Sequence, residues 1–376
     1  MTPMNRPSVE NLRIQDAQPL PAPAALAREL PLDAAGAEFV ARSRRAVEDI
    51  VLGRDDRLLI VAGPCSIHDP AAAREYALLL REAADRHAHE LCVVMRAYME
   101  KPRTVLGWRG LTSDPGLDGS HQITIGLRLA RNLLLDLVSL RVPAATEFLD
   151  ATLGQFYAEL VTWGVIGART AESQVHRALA SGLSMPFGCK NRTDGDVQVA
   201  VDALLSARQP HWFASVTRDG MPAMLGTSGN DHGHLVLRGG TRGPNYSSAH
   251  VQAAVELLRQ AGLPPRLMVD CSHGNSRREP ERQPVVAADV AAQIAGGEAG
   301  ICGVMLESNL VTGTQDCRVR PLVYGCSVTD PCLGWAQTAP VLDFLAAAVR
   351  ERRTRTLRPA DSAGDERAPV LVSPAK

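Results

Sequence analysis

Cationic side chains are concentrated in one short stretch of this sequence. The segment "MRAYMEKPRTVLGWRG" (95–110) contains Arg96, Lys101, Arg103 and Arg109, although the formal net charge of the 376-residue chain is only -1. Arginine grips carboxylates and phosphates through paired hydrogen bonds, whereas lysine acts as a point charge. A solvated loop is the ordinary explanation of such a charge run. The rest of the sequence must decide whether an anion binds here.

A second group of side chains has the chemistry of metal ligands. Cys65, His273 and Glu307, with Asp330 as a further candidate, offer a thiolate, an imidazole and carboxylates. Such a set suits a divalent transition metal better than Mg²⁺ or Ca²⁺. Each residue has an alternative role. Cys65 can be a small buried apolar residue, His273 a general base or simply a hydrogen-bonded side chain, and Glu307 a partner of an arginine.

Short apolar runs, mostly separated by amphipathic stretches, indicate the elements that must position these groups. Eight runs are typical of buried strands: 57–63, 91–97, 143–149, 164–169, 185–190, 234–239, 266–272 and 302–308. Six stretches between them predict helices: 71–86, 121–138, 172–181, 196–207, 248–261 and 285–296. This alternation predicts an α/β fold, a closed (β/α)8 TIM barrel, with 211–233 as an inserted β-hairpin. An open doubly wound sheet is the alternative, but no G-x-G-x-x-G follows the first run.

An ionisable or reactive residue lies at or beside the end of every predicted strand. These residues are Cys65, Arg96, Glu147, Arg169, Lys190, Arg238, His273 and Glu307. In a parallel barrel all eight strand ends share the face on which barrel enzymes carry their chemistry. Six cations are expected to converge there: Arg96, Lys101, Arg103, Arg169, Lys190 and Arg238. So many cations predict a strongly anionic ligand, and we expect a phosphate, with Thr104 adding a hydroxyl.

Composition limits the remaining possibilities. The near-zero net charge gives no general attraction to nucleic acid or membrane, and no apolar run approaches the roughly 20 residues that span a bilayer. The N-terminus lacks the apolar core of a signal peptide, so a cytoplasmic location is expected, with the eight cysteines as thiols or ligands. Predicted divisions are an N-terminal arm and first helix (1–50), the barrel (51–352) and a disordered tail (353–376). The Pro- and Ala-rich residues 1–35 predict no core element.

Twelve motifs, in order along the chain, carry a resemblance to one family. They are "GPCSIHD" (63–69), "EKPRT" (100–104), "GWRGL" (107–111), "EFLD" (147–150), "IGARTAESQVHRALASGLSMP" (166–186), "KNRTDG" (190–195), "RGG" (238–240), "NYS" (245–247), "SHGNS" (272–276), "QIAGGE" (293–298), "GVMLESNL" (303–310) and "SVTD" (327–330). Together they resemble the type I 3-deoxy-D-arabino-heptulosonate 7-phosphate (DAHP) synthases of the aromatic-amino-acid-regulated microbial branch. The likeness extends from about residue 10 to 350.

The resemblance implies an activity and a set of site residues. Such enzymes condense phosphoenolpyruvate with erythrose 4-phosphate in the first step of the shikimate pathway, on a (β/α)8 barrel with a divalent metal (Mn, Fe, Co or Zn). It implies Cys65, His273, Glu307 and Asp330 as metal ligands. It implies phosphoenolpyruvate binding by Arg96, Lys101, Gly167, Ala168, Arg169, Lys190 and Arg238. Arg103 and Thr104 would bind erythrose 4-phosphate, and Lys101 and His273 are both candidates for proton transfer at the new hydroxyl.

The resemblance also implies regulation and assembly. Similar enzymes form homodimers or homotetramers, use an N-terminal arm at a subunit interface, and bind an aromatic amino acid away from the catalytic mouth. The matching pocket residues would be Gln155, Leu179, Leu183, Ser184, Phe213 and Ser215. Ordinary packing of helix 172–181 against the hairpin is the alternative interpretation of these residues.

Four residues depart from the family pattern: Cys189, Arg192, Cys271 and Cys326. They lie beside the implied ligands and concern substrate geometry and oxidation sensitivity more than reaction class. Two rival functions stay open. One is a related condensation of phosphoenolpyruvate with arabinose 5-phosphate, against which the "KPRT" loop and the long arm argue. The other is a catalytically silent barrel, against which the complete set of candidate metal ligands argues.

Overall fold

A closed barrel of eight parallel strands forms the centre of the molecule, as seen in a computed structural model that describes residues 9–357. The barrel strands are β1 (Leu58–Gly63), β2 (Leu91–Arg96), β3 (Ala144–Glu147), β4 (Trp163–Ile166), β5 (Phe187–Lys190), β8 (Gly233–Leu237), β9 (Leu267–Asp270) and β10 (Ile301–Glu307). Their order around the barrel is β1-β10-β9-β8-β5-β4-β3-β2. The predicted (β/α)8 fold is confirmed, and every predicted run contains most of one barrel strand.

Helices surround this barrel. They are α1 (Pro23–Glu29), α2 (Ala34–Val51), α3 (Pro70–Arg86), α4 (Ile123–Ser139), α5 (Gln174–Ser181), α6 (Gln198–Ala207), α7 (Ser248–Gln260), α8 (Gln283–Ala295) and α9 (Trp335–Leu357). Short 3-10 helices at Leu153–Phe156 and Ala158–Leu160 replace an α-helix between β3 and β4, and another lies at Pro280–Arg282. Among residues 9–357, none of the helices combines the length and apolar character needed to cross a membrane.

The predicted hairpin is confirmed as strands β6 (Trp212–Val216) and β7 (Pro222–Gly226), which pair antiparallel outside the barrel. The expectation that residues 1–35 hold no core element is wrong for Pro23–Glu29. Pro23 starts helix α1, where its fixed φ suits the first turn, and Leu26 is fully buried in the main core. The backbone N–H of Ala24 donates to the carbonyl of Arg218 in the hairpin turn at 2.7 Å.

The two ends of the barrel differ in character. At the N-terminal end, Val47, Ile50 and Val51 of α2 pack in the same apolar cluster as Leu59 and Trp163 of the strands. The C-terminal end opens to loops, and there the polar residues collect. The tail predicted to be disordered begins too early, because residues 353–357 are the last turns of α9; the rest of that tail lies outside the described residues.

Candidate active site at the mouth of the barrel

The carboxyl ends of the strands place the predicted cations around one cavity of about 530 Å³. Arg96 ends β2, Lys190 ends β5 and Arg238 directly follows β8. Because parallel strands deliver their ends to the same face, residues far apart in sequence meet there. The cavity is lined, among others, by the predicted residues Arg96, Lys101, Gly167, Ala168, Arg169, Lys190, Arg238, His273 and Asp330.

The turn after β4 brings its backbone close to this cavity. A Cβ atom at Gly167 would lie 2.0 Å from Oε1 of Glu147, so any larger residue there would displace this carboxylate. Gly167, which has no side chain, lines the cavity with its main chain, and Ala168 lines the same cavity. Arg169 follows at once, and its Nε donates to Oγ1 of Thr104 at 3.2 Å.

Three of the four predicted metal ligands form a tight cluster. One ligand atom from each of Cys65, Glu307 and Asp330 lies within 4.8 Å of the others. Nε2 of His273 lies 3.5 Å from Oε1 of Glu307, which places the imidazole beside this cluster. A thiol, an imidazole nitrogen and two carboxylates match the donor set of a divalent transition metal. These residues can therefore hold such an ion.

The electrostatic environment of the cluster is consistent with that use. Burial raises the pKa of the Cys65 thiol to about 11, with Glu307 adding to the effect against the opposing charge of Lys101. A bound cation would reverse this tendency, since metals stabilise thiolates. Burial also lowers the pKa of His273, which favours the neutral imidazole that metals bind.

Lys101 connects the cation cavity to the metal-ligand cluster. Its Nζ lies 2.8 Å from Sγ of Cys65 and 2.7 Å from Oδ2 of Asp330. Burial acts to lower the pKa of Lys101, but Cys65, Glu307 and Asp330 outweigh it and raise that pKa above its usual value. Lys101 is thus a charged ammonium group placed between the two sites.

Arg103 lies in an adjoining cavity of about 570 Å³. This second cavity shares Lys101, Pro102 and Arg169 with the first. Nε of Arg103 donates to the carbonyl of Trp108 at 2.8 Å, which holds the "KPRT" loop against its own return segment. Of the two residues predicted to bind the second substrate, Arg103 lines this cavity, whereas Thr104 lines neither cavity and instead accepts from Arg169.

The sequence prediction missed several polar residues of the mouth. Thr193, Thr241, Arg242, Arg277 and Arg278 also line the first cavity. They lie in the loops after β5, β8 and β9, outside any apolar run. Arg277 and Arg278 both have positive φ, as does His273, which is uncommon outside glycine and recurs at functional sites. The only sequence signal for the pair was its position four and five residues after a predicted ligand.

A third cavity, of about 610 Å³, lies outside the barrel near the hairpin. It is lined by the predicted effector residues Gln155, Leu179, Leu183, Ser184 and Phe213. Ser215 does not line it; its hydroxyl donates instead to the carbonyl of Ala151 at 2.8 Å. The ring of Phe148 lines the cavity and stacks on Tyr157 at a centroid distance of 6.4 Å. These residues leave a pocket between them, which simple packing of α5 against the hairpin would not require.

The four residues that depart from the family pattern occupy different surroundings. Arg192 lies at the rim, where it pairs with Asp194 at 2.5 Å and with Glu172 at 3.0 Å, linking the loops that follow β5 and β4. Cys189 and Cys271 are buried in the main core, and Cys326 is nearly buried. All eight cysteines are free thiols.

The fold and the mouth together define a (β/α)8-barrel enzyme built for anionic substrates. Comparison with known proteins specifies the class further, because a family model described as "DAHP synthetase I family" matches residues 33–343. The chain belongs to this family.

Named relatives and a solved structure match most of the chain. It is 52% identical over 345 residues to the Phe-sensitive phospho-2-dehydro-3-deoxyheptonate aldolase of Escherichia coli K12, covering 92% of this chain and 98% of that protein. It is 52% identical over 331 residues to the Trp-sensitive aldolase of Enterobacter agglomerans, covering 88% and 95%. The structure of the aldolase from Francisella tularensis SCHU S4 superposes with a TM-score of 0.89 at 50% identity, over 90% and 99% of the two chains.

Proposed function

We propose that this chain condenses phosphoenolpyruvate with erythrose 4-phosphate and water to give DAHP and inorganic phosphate, the first step of the shikimate pathway. One observation carries the proposal: five predicted cations share a cavity with two of the candidate metal ligands. Phosphoenolpyruvate has a carboxylate and a phosphate, and the aldose brings a second phosphate, which accounts for the accumulated positive charge. The names of the relatives support the same activity.

The cations hold and orient the two substrates. In this proposal Arg96, Lys190 and Arg238 with Arg169 grip phosphoenolpyruvate, while the main chain of 167–168 approaches its phosphate. Arg103 receives the phosphate of erythrose 4-phosphate in the adjoining cavity, and Thr104, which accepts from the Arg169 side chain of that cavity, adds its hydroxyl from beside it. Because two anions must be brought face to face, positioning is a large part of the catalytic task.

Lys101 is the best-placed proton donor. The bond between C3 of phosphoenolpyruvate and the aldehyde carbon forms as the carbonyl electron pair moves to oxygen, which takes a proton from the Lys101 ammonium. Positive charge develops at C2, where a water adds and one of its protons restores the Lys101 ammonium. The C2 hydroxyl so formed then gives its proton to the departing phosphate as the bond between C2 and the phosphate oxygen breaks, which leaves a ketone at C2 and inorganic phosphate. His273, whose Nε2 faces Glu307, is better placed as a ligand than as this donor.

A divalent metal fits the residues Cys65, His273, Glu307 and Asp330, which would hold it beside Lys101. When bound, such an ion supplies Lewis-acid polarisation of the aldehyde. Mn²⁺, Fe²⁺, Co²⁺ and Zn²⁺ all match the donor set.

One assay tests the activity. Purified protein is stripped with a chelator, reloaded separately with each of the four metals, and supplied with phosphoenolpyruvate and either erythrose 4-phosphate or arabinose 5-phosphate. We expect metal-dependent release of inorganic phosphate with erythrose 4-phosphate and little with the pentose. Preference for the pentose would establish the related condensation instead, and no turnover with either sugar would establish a silent barrel.

The pocket near the hairpin supports regulation by an aromatic amino acid. Phe148, Leu179 and Phe213 give it an apolar wall, while Gln155 and Ser184 add polar groups that can orient an amino acid. The Phe-sensitive and Trp-sensitive relatives are equally similar to this chain, so identity alone does not select the effector. We place one aromatic amino acid in this pocket as an inhibitor.

Exposed apolar residues support a homodimer or homotetramer. In the described part of the arm, Val9, Leu12 and Ile14 are more than half exposed, as are Trp212 and Met224 on the hairpin. Burial of apolar side chains of this size by a partner subunit stabilises the assembly. If the arm of one subunit covered the hairpin of another, that arm would lie next to the effector pocket. The free thiols agree with the reducing cytoplasm, which we propose as the location.

A further inference from the structure

Asp270, the last residue of β9, is a fully buried carboxylate that the sequence did not single out. It accepts hydrogen bonds from three different residues. Its Oδ2 lies 2.8 Å from Nζ of Lys190 and 2.9 Å from Nδ1 of His273. Its Oδ1 accepts from the backbone N–H of Ser272 at 3.0 Å and from the Ser272 hydroxyl at 2.5 Å. A single carboxylate therefore contacts one residue of the anion cavity and one candidate metal ligand.

The contacts of Asp270 determine which nitrogen of His273 carries the proton. Nδ1 faces Oδ2 of Asp270 at 2.9 Å and Oγ of Ser272 at 2.6 Å. Because the Ser272 hydroxyl donates to Oδ1 of Asp270, its oxygen is left to accept. A bare Nδ1 would then face two acceptors, so the proton lies on Nδ1. Nε2 then keeps the lone pair that a metal ligand needs, and it lies 3.5 Å from Oε1 of Glu307.

The contact with Lys190 orients the second partner. Lys190 ends β5 and lines the anion cavity, but it is only 4% exposed, so its ammonium group has been taken out of water. Its ammonium group donates a hydrogen bond to Asp270. A buried ammonium without a counter-ion is costly, and a charge-assisted hydrogen bond of 2.8 Å fixes both its charge and its direction.

We propose that Asp270 is a positioning residue that couples the grip on phosphoenolpyruvate to the metal-ligand set, by orienting Lys190 and holding the His273 proton on Nδ1. The inference rests on the proposed function for the identity of the substrate. It predicts that one substitution at Asp270 weakens binding of two different ligands. Substitution of Lys190 should weaken only phosphoenolpyruvate, and substitution of Ser272 should affect only the metal.

Direct binding measurements on the full-length chain test this coupling. Asp270→Asn keeps the size of the side chain but removes its charge, and its amide group can present a donor to Lys190 or His273. We expect Mn²⁺ affinity, measured by titration of free Mn²⁺, to fall by about 10- to 100-fold, as for other outer-shell partners of metal ligands. Phosphoenolpyruvate affinity, measured calorimetrically, should fall at least about tenfold. Asp270→Glu should recover part of both losses.

A spectroscopic readout separates positioning from a general loss of stability. In metal-free wild-type protein with ¹⁵N-labelled histidine, His273 should show a protonated Nδ1 and a bare Nε2. In Asp270→Asn this preference should weaken. The matched control is His234→Gln at the opposite end of the barrel, where buried His234 accepts from Nε1 of Trp163 at 2.9 Å. That variant should lose stability without losing Mn²⁺ or phosphoenolpyruvate affinity.

If Asp270→Asn fails to fold, the double variant Lys190→Met/Asp270→Asn removes the stranded lysine charge and should fold. Its Mn²⁺ affinity should still be at least about tenfold below that of Lys190→Met alone. Wild-type affinity for Mn²⁺ in that double variant, or for either ligand in a folded Asp270→Asn, overturns the proposal. These titrations need no turnover, so an enzyme that makes no DAHP would refute the proposed function while leaving the role of Asp270 to be decided by binding.

Discussion

Nη2 of Arg96 lies 2.9 Å from Oε1 of Glu307, and both side chains are only 2% exposed. The same guanidinium group donates to the carbonyls of Pro64 and Cys65 at 3.1 and 3.2 Å. Arg96 thus supports a loop and a carboxylate that both contribute candidate metal ligands, while also lining the anion cavity. We therefore expect the pair of Arg96 and Glu307 to contribute both to the stability of the fold and to activity, and substitutions can distinguish the two contributions.

Arg96→Met should leave the Glu307 carboxylate buried without its nearest cation. Removing one partner of a buried pair typically costs about 3–5 kcal/mol of unfolding free energy. The double variant Arg96→Met/Glu307→Gln should regain most of that stability, because no unpaired charge remains, yet neither variant should make DAHP. Urea unfolding and the phosphate-release assay measure the two effects. A single variant as stable as the wild type would show that the pair contributes little.

Cys65→Ala should abolish Mn²⁺ or Zn²⁺ binding and activity while the fold survives. The thiol is one of three clustered ligand groups, and alanine at this site removes a ligand but little volume. Metal content after dialysis, circular dichroism and turnover are the measurements. Cys302→Ala is the matched control, because this buried cysteine lies near the start of β10 and donates to the carbonyl of Leu267. Equal metal content in the two variants would contradict the assignment of Cys65.

The two anion cavities predict opposite kinetic defects. Arg238→Ala should raise KM for phosphoenolpyruvate, whereas Arg103→Ala should raise KM for erythrose 4-phosphate. Loss of one bidentate charged contact typically lowers kcat/KM on the order of a hundredfold. Arg169 contacts Thr104 and lines both cavities, so Arg169→Ala should affect both substrates. A defect of Arg103→Ala confined to phosphoenolpyruvate would show that the cavities are assigned to the wrong substrates.

The sequence predicted those parts of the site that end apolar strands. Arg96, Lys190 and Glu307 are the last residues of their strands, so the ends of the apolar runs located them without knowledge of the fold. Parallel strands then brought all three to one face. Asp270 also ends a strand, but the sequence pattern indicated the nearby His273 as the reactive residue of that strand end. Its bond to Lys190 joins positions 80 apart and follows only from the order of β9, β8 and β5 in the barrel.

Other parts of the structure lie outside the apolar runs, so the sequence contained no signal for them. Arg277 and Arg278 lie in a turn whose positive φ values depend on backbone bonds to Gly274 and His273. Helix α1 has only seven residues, too few to show an amphipathic repeat, and Leu26 is buried through tertiary contacts. Loops and short helices of this kind are determined by packing, which a single sequence does not display.

Glu100 should make stability depend on pH. Burial raises its pKa to about 7, with Asp150 adding to the effect, while the Tyr157 hydroxyl donates to it at 3.3 Å. Between the unfolded pKa of 4.5 and about 7, the folded state binds more protons than the unfolded state, so stability falls as pH rises through this window. Above about pH 7 this decrease in the free energy of unfolding is complete, and relative to acidic pH it amounts to about 3 kcal/mol.

Glu100→Gln should therefore be more stable than the wild type at pH 8, with the difference shrinking toward pH 5. Urea unfolding at several pH values measures this, and the exposed Glu38→Gln serves as a control for charge alone. Identical pH profiles for wild type and Glu100→Gln would mean that the Glu100 carboxyl is ionised normally.

The pocket beside the hairpin leads to the last prediction, which concerns feedback inhibition. An inhibitor must bind the less active state more tightly than the active one. Phe148 of the pocket stacks on Tyr157, whose hydroxyl bonds Glu100 next to Lys101, so occupation of the pocket has a direct structural connection to the mouth. We expect one of phenylalanine, tyrosine or tryptophan to inhibit the full-length enzyme at millimolar concentration or below.

Deletion of residues 1–20 should remove that inhibition while activity remains, because the arm of the neighbouring subunit would no longer order against the pocket. Phe213→Ala should weaken inhibition without changing KM for either substrate, since Phe213 lines the pocket and not the mouth. Ile125→Ala, an exposed apolar position on α4, is the matched control and should keep normal inhibition. Sedimentation of each variant shows whether the oligomer persists. Inhibition of the truncated enzyme equal to that of the full chain would exclude the arm from the mechanism, and failure of all three amino acids to inhibit would exclude the pocket.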